Sequence, residues 1–256
     1  MTMTREGAPA KNVLVGKLGR MGAMLCARAD QMGVCVAGVD RPLNADTLSE
    51  ACADADMALF CVPASALDEV LAGVCPHLPD TAVVADITSV KEQPLRLMEK
   101  FWPGAVVGAH PLFGPAPDWE TDLPVAVIPG SRADTVDVGK VEAFFLRLGF
   151  RTFRTTALEH DRAMAHIQNV NFITSLAYFA LLAGHDELLP FLTPSFRRRL
   201  DAARKMLTED ARMFAGLFEA NAHSHESVRQ YRRVLNLAAA GEIDLLCRRA
   251  RWWYEK

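Results

Sequence analysis

The chain has 256 residues, half of them hydrophobic and 23% charged, which supports a buried core in one or two domains and excludes a disordered chain. Its 28 Lys and Arg against 31 Asp and Glu leave a net charge of -3, so no basic excess exists to hold phosphate backbones and nucleic acid is excluded as the main partner. The first ten residues lack the apolar run of a secretion signal, and the most apolar stretch, Phe172 to Gly184, is short of the ~20 residues that span a bilayer. A cytoplasmic protein without a membrane partner is expected. Its six cysteines form no C-x-x-C and no Cys/His cluster at zinc spacing, so they are expected as small buried hydrophobes in a reducing compartment, with no metal site.

Short apolar runs alternate with helical patterns through the first half. Strands are predicted at Asn12–Val15, Val34–Val39, Met57–Val62, 81–85, Ala105–Gly108 and 124–128, with helices over Gly22–Met32 and Ala66–Val74. Such alternation predicts a parallel sheet covered on both faces, an α/β Rossmann-like domain over residues 1–155. After about residue 155 the strand signal ends, and residues 156–256 are predicted as an all-α domain. Thr156 and Glu159 form a capping box that starts a long helix reaching Gly184. Thr193-Pro194 starts the next, with an apolar stripe through Phe196, Leu200, Ala203, Leu207, Phe214 and Phe218. Helices over Ser224–Ala240 and Glu242–Trp253 complete the domain. The stretch from Val170 to Leu182 is apolar almost all round, which calls for cover on every side. A homodimer built through these helices is expected.

The first strand runs into Gly16-Lys17-Leu18-Gly19-Arg20-Met21-Gly22. Aligned on its last two glycines this is G-x-G-x-x-G with Lys17 in the first glycine place. Gly19 suits close approach to a pyrophosphate, and Gly22 suits tight packing of the helix on the sheet. Lysine is poor where a turn needs positive φ, so Gly16 is expected to make the turn and Lys17 to help neutralise the pyrophosphate. Asp40, eighteen residues past Gly22 at the end of the second strand, suits the ribose hydroxyls of NAD. It disfavours NADP, although Arg41 beside it could accept a 2′-phosphate. Val62 and Pro63 after the third strand and Thr88 after the fourth complete the candidate cofactor set with Arg20 and Met21.

Residues 108–115 read Gly-Ala-His-Pro-Leu-Phe-Gly-Pro directly after the fifth predicted strand, at the carboxyl end of the sheet. Asp86-Ile-Thr-Ser-Val-Lys91 closes the fourth strand at the same edge, and Glu159-His160-Asp161 opens the first long helix. With these three segments the chain resembles prephenate dehydrogenases, NAD-dependent enzymes of tyrosine biosynthesis, over nearly its whole length. The H-P-x-F-G-P segment is the most specific part. The resemblance implies that His110 contacts the ring hydroxyl of prephenate, that Ser89 assists there, and that Lys91 is the matching lysine. Neutral imidazole suits removal of a hydroxyl proton as hydride leaves carbon.

The two carboxylates of such a substrate need cations. The helix from Pro194 offers Arg197, Arg204, Lys205 and Arg212. The family's substrate-binding arginine aligns with Lys205, which lacks the bidentate reach of arginine, and Arg204 is the expected substitute. His160 is a further candidate for the substrate wall. Where many relatives carry a histidine in the substrate pocket this chain has Phe172, so arogenate or a 4-amino analogue stays open. A non-catalytic dinucleotide-binding descendant is the other alternative, resting on Lys17, Lys205 and Phe172. With no room for a mutase domain before residue 12 or a regulatory domain after 256, a compact single-activity form is expected.

Overall fold

The computed structural model describes residues 10–255, so the reading of a leader-free start concerns residues outside the described span. Contacts divide the chain into two units, Met1–His160 and Asp161–Lys256.

The first unit is built on β1 (Asn12–Val15), α1 (Arg20–Gln31), β2 (Val36–Val39), α2 (Ala45–Cys52), β3 (Met57–Phe60), α3 (Leu67–Val74), β4 (Val83–Asp86), α4 (Glu92–Phe101), β5 (Val106–Pro111), β6 (Pro124–Pro129), α5 (Thr135–Arg147) and β7 (Arg151–Arg154). They form one seven-stranded sheet in the order β2-β1-β3-β4-β5-β6-β7. Alternate side chains of the central strands feed two cores. Val13, Val15, Ala58, Phe60 and Val84 enter one; Leu14, Met57, Leu59, Val83 and Ala85 enter the other. Central strands buried on both faces explain why these segments read as unbroken apolar runs. Each large aliphatic or aromatic side chain so buried contributes about 1.5–3 kcal/mol.

The sheet departs from the all-parallel expectation at one junction. β6 runs antiparallel to β5, while β7 is again parallel to β6. No helix lies between Pro111 and Pro124, and a parallel pair needs a long crossover, usually helical. β5 also runs on to Pro111, so His110 sits in the strand rather than after it. β7, the sequence Arg-Thr-Phe-Arg on a largely exposed edge, carries no apolar run and was not expected.

The second unit has no strand among its described residues. α6 (Ala157–Met164) begins in the first unit and starts with the expected capping box: the Thr156 amide donates to Glu159 Oε2 and the Glu159 amide to Thr156 Oγ1, both at 3.2 Å. One π-helical turn, Ala165–Asn169, joins it to α7 (Val170–Leu181). The apolar stripe expected on a single helix is divided between α8 (Pro194–Thr208) and α9 (Ala211–Ala220), which places Arg212 on α9. α10 (Ser224–Ala239) and α11 (Ile243–Arg251) follow. Within the chain, α7 buries only Phe172, and Leu181 is 72% exposed.

No helix of the described residues is long and apolar enough to cross a membrane. Among the described residues no cluster of three or more His, Cys, Asp or Glu could hold a metal ion. All six cysteines are free. Cys52, Cys61 and Cys75 are buried, and burial pushes the Cys75 thiol up to about 12. Cys35, just before β2, and Cys247, on α11, are exposed, against the expectation of buried small hydrophobes.

Candidate active site

A cleft at the carboxyl end of β1 is shaped by the β1–α1 loop. Gly16 turns the chain at φ +92°, and no residue other than glycine has positive φ among those described. Lys17 is therefore unstrained in the first glycine place. Its stem lies against Gly38 of β2, where a β carbon would come within 2.4 Å of Lys17 Cδ. The loop is tied to β2 by the Gly16 and Lys17 amides, which donate to the Val39 carbonyl at 2.8 and 3.3 Å. Gly22 must be glycine for packing: a β carbon there would stand 2.1 Å from the Gly16 carbonyl oxygen.

Gly19 begins α1 without a side-chain cap, and no acidic residue lies in the first turn, where Arg20 and Met21 stand. A helix start of this kind receives anions through its amides and dipole. Asp40 clamps the loop from β2, its Oδ2 accepting from the Leu18 amide at 2.7 Å and its Oδ1 from the Arg41 amide at 2.8 Å. Gly16, Gly19, Asp40, Arg41, Val62 and Pro63 line one cavity of about 310 Å³. A glycine floor, a helix N-terminus and a carboxylate at the rim fit a dinucleotide.

The second part of the site lies at the ends of β4 and β5. Asp86, Thr88 and Lys91 are buried there, and Ser89 is half-buried in the same turn. Lys91 Nζ donates to both Asp86 carboxylate oxygens and to the Ala109 carbonyl, each at 2.7 Å. The Thr88 amide donates to Asp86 Oδ2 at 2.9 Å, and its hydroxyl bonds the same carboxylate. Thr88 is thus part of the buried cluster and does not line the 310 Å³ cavity. Desolvating both charges is expensive, and only dense hydrogen bonding makes such a pair tolerable.

His110 follows Ala109 directly and is 5% exposed. Its Nδ1 lies 2.8 Å from His160 Nε2, with the rings edge to face. One nitrogen of that contact must donate and the other accept. Burial, then the neighbouring His160, then the Lys91 ammonium hold the His110 imidazole well below its usual pKa, so it is neutral at pH 7. His160, expected at the substrate wall, is the hydrogen-bond partner of His110.

The helical unit holds the remaining candidates. Arg197 and Lys205 are exposed on α8. Arg204 pairs with Asp201 at 3.0 Å and lines an apolar cavity of about 710 Å³ with Tyr178, Phe196 and Leu200. Phe172 is a buried core residue stacked on Phe214, ring centroids 5.5 Å apart. Sequence reasoning missed Asp86 as a site residue, although its place at a strand end opposite a lysine was a usable signal. It also missed the pairing of His160 with His110.

The family model for the prephenate dehydrogenase nucleotide-binding domain matches residues 20–152, just over half of the chain. The T-protein of Enterobacter agglomerans is 28% identical over 227 residues, covering 86% of this chain and 59% of that protein. The chain thus spans little more than half the length of that relative. The solved arogenate dehydrogenase of Synechocystis superposes with a TM-score of 0.75 at 22% identity, covering 94% of this chain and 96% of that one. The prephenate dehydrogenase of A. aeolicus, solved with hydroxyphenyl propionate and NAD+, superposes with a TM-score of 0.78 at 16% identity over 98% of both chains. At these identities the two structures establish the fold.

Replacing Lys91 by Met would leave the Asp86 carboxylate buried and unpaired. The expected cost is about 3–5 kcal/mol, measured as a lowered denaturation midpoint. A change within error of wild type would show that the carboxylate reaches another partner.

Proposed function

The chain belongs to the prephenate dehydrogenase family, and from that premise we propose that it oxidises and decarboxylates prephenate to 4-hydroxyphenylpyruvate with NAD, in the cytoplasm. The observation that carries this reading is the buried His110–His160 pair at the end of β5, in a strand joined to the nucleotide-binding sheet. NAD would be held by the Gly16–Gly22 loop and the N-terminus of α1, with Asp40 at the adenosine ribose and Val62 and Pro63 along the cleft. When bound, the dinucleotide supplies the hydride acceptor, and loss of the ring carboxylate as carbon dioxide completes aromatisation.

His110 is the proton acceptor. With Nδ1 engaged by His160, Nε2 is the edge that takes the proton of the substrate hydroxyl. His160 orients the ring, in the way that the orienting member of a catalytic triad sets its histidine. Ser89 assists at the same hydroxyl. Lys91 and Asp86 position the strand, and the Lys91 ammonium helps burial and His160 to keep the imidazole uncharged, so Lys91 acts without touching substrate. Arg204, Lys205 and Arg197 are the cations for the substrate carboxylates.

Arogenate is the second reading. It is left open by Phe172, an apolar core residue at a position where the family resemblance implies a pocket histidine. A second copy of the chain completes the molecule by covering the apolar surface of the helical unit around Leu181 and Phe191, which are 72% and 78% exposed.

Purified protein with NAD and prephenate is expected to generate NADH. Much faster turnover of arogenate would select the second reading, and NAD binding without turnover of either substrate would select a non-catalytic protein. His110→Asn is expected to lower kcat by about 10²–10⁴-fold, and wild-type turnover in that variant would remove His110 from the mechanism.

Because the His110 pKa is lowered, the base stays unprotonated on descending through pH 6.5, and activity falls only as pH drops through the lower folded value. The acidic limb of kcat/KM is therefore expected below 6.5. His160→Ala should move that limb upward, and His160→Gln, which keeps a partner for Nδ1, should lose less kcat than His160→Ala. A limb unmoved in both variants would make His160 a packing residue only.

Light scattering is expected to give twice the chain mass, and Leu181→Glu combined with Phe191→Glu to halve it. A monomeric wild type would exclude the second copy as the cover.

A further inference from the structure

The ribose end of the nucleotide cleft carries a charge arrangement that the hydride chemistry does not use. Arg41 follows Asp40 directly and lines the same 310 Å³ cavity. Its backbone is fixed there, since its amide donates to Asp40 Oδ1 at 2.8 Å. Its guanidinium, however, is drawn to α3, where Nη2 donates to Glu69 Oε2 at 2.7 Å. Glu69 stands in the first turn of α3, whose N-terminal neighbour Ala66 also lines the cavity.

A guanidinium at this point of the fold is the usual receptor for the 2′-phosphate of NADP, because its planar fork matches phosphate oxygens in a bidentate way. Here that fork is already occupied by a carboxylate. Asp40 and Glu69 thus place two carboxylates at this edge, one on the Arg41 amide and one on its guanidinium. A ribose diol can still be accepted, because each Asp40 oxygen engaged by an amide keeps a further lone pair. A dianionic phosphate would have to break the Arg41–Glu69 pair and face both carboxylates.

Resting on the reading of this cleft as a dinucleotide site, we propose that Glu69 is a specificity-determining residue, which secures the preference for NAD over NADP by holding the Arg41 guanidinium away from the ribose edge. Glu69 touches no reacting atom and acts through Arg41. The two side chains are 73% and 55% exposed, so the pair is labile and its control is graded. Removing Glu69 shifts the preference and leaves Asp40 to oppose a full reversal.

The test is the ratio of dissociation constants for NADP+ and NAD+, measured by calorimetry on wild type, Glu69→Gln, Arg41→Gln and the double variant. Glu69→Gln is expected to lower the NADP+/NAD+ ratio about three- to fivefold, the scale of one exposed ion pair. The gain should vanish in the double variant. An unchanged ratio in Glu69→Gln, or a gain that persists without Arg41, overturns the role of Glu69 while the nucleotide reading stands. Failure of the wild type to bind NAD+ at all overturns that reading and the proposal together. The ratio cancels any general loss of folded protein.

Discussion

The ammonium of Lys91, sealed beneath the ends of β4 and β5, is the interaction on which the site depends. It has no contact with water and is held by three acceptor oxygens at 2.7 Å. Two belong to Asp86 at the end of β4. The third is the carbonyl of Ala109, the residue before His110. One side chain therefore neutralises a buried carboxylate, fastens two neighbouring strands and fixes the backbone from which the imidazole projects. A well-packed apolar pair could fasten the strands equally well. It would not place a positive charge beside His110 or disfavour its imidazolium form. The Lys91 charge, which lowers the His110 pKa after burial and His160, is what the lysine adds beyond cohesion.

The nucleotide loop shows a similar economy. Asp40 is at once a structural clamp on Leu18 and an acceptor at the mouth of the cleft. The departure from the glycine motif at Lys17 costs no backbone strain, because Gly16 supplies the turn and Gly38 leaves room for the lysine stem. The loop thus tolerates lysine through a compensation on the adjacent strand, twenty-one residues away in the chain.

That compensation marks the boundary of what could be read in advance. β1, β3 and β4 were legible because strands buried on both faces must be apolar throughout. The direction of β6 was not, since an apolar run has no polarity and only the missing crossover helix hinted at reversal. β7 lacked any apolar run. The break between α8 and α9 was hidden because helical periodicity continues across Glu209 and Asp210. His110 stood out by its sequence neighbourhood, whereas His160 is fifty residues away and only the folded chain brings the two rings together. Lys91 was legible as a motif residue but not as a buried one, because a lysine pays for full burial only when several acceptors converge on it.

The histidine pair also constrains where protons can reside. A 2.8 Å contact between two ring nitrogens accommodates one hydrogen. For His110 to act as a base at Nε2, that hydrogen must sit on His110 Nδ1 and point to His160 Nε2, which leaves His160 protonated at its own Nδ1. If the hydrogen sat on His160 Nε2 instead, neutral His110 would carry its proton at Nε2 and could only donate there. The partner therefore selects between a base and an acid. After proton uptake, His110 would be a buried cation beside a second imidazole and near the Lys91 ammonium, all three of which oppose the charge. That environment favours return of the proton, which suits the role of base proposed for His110.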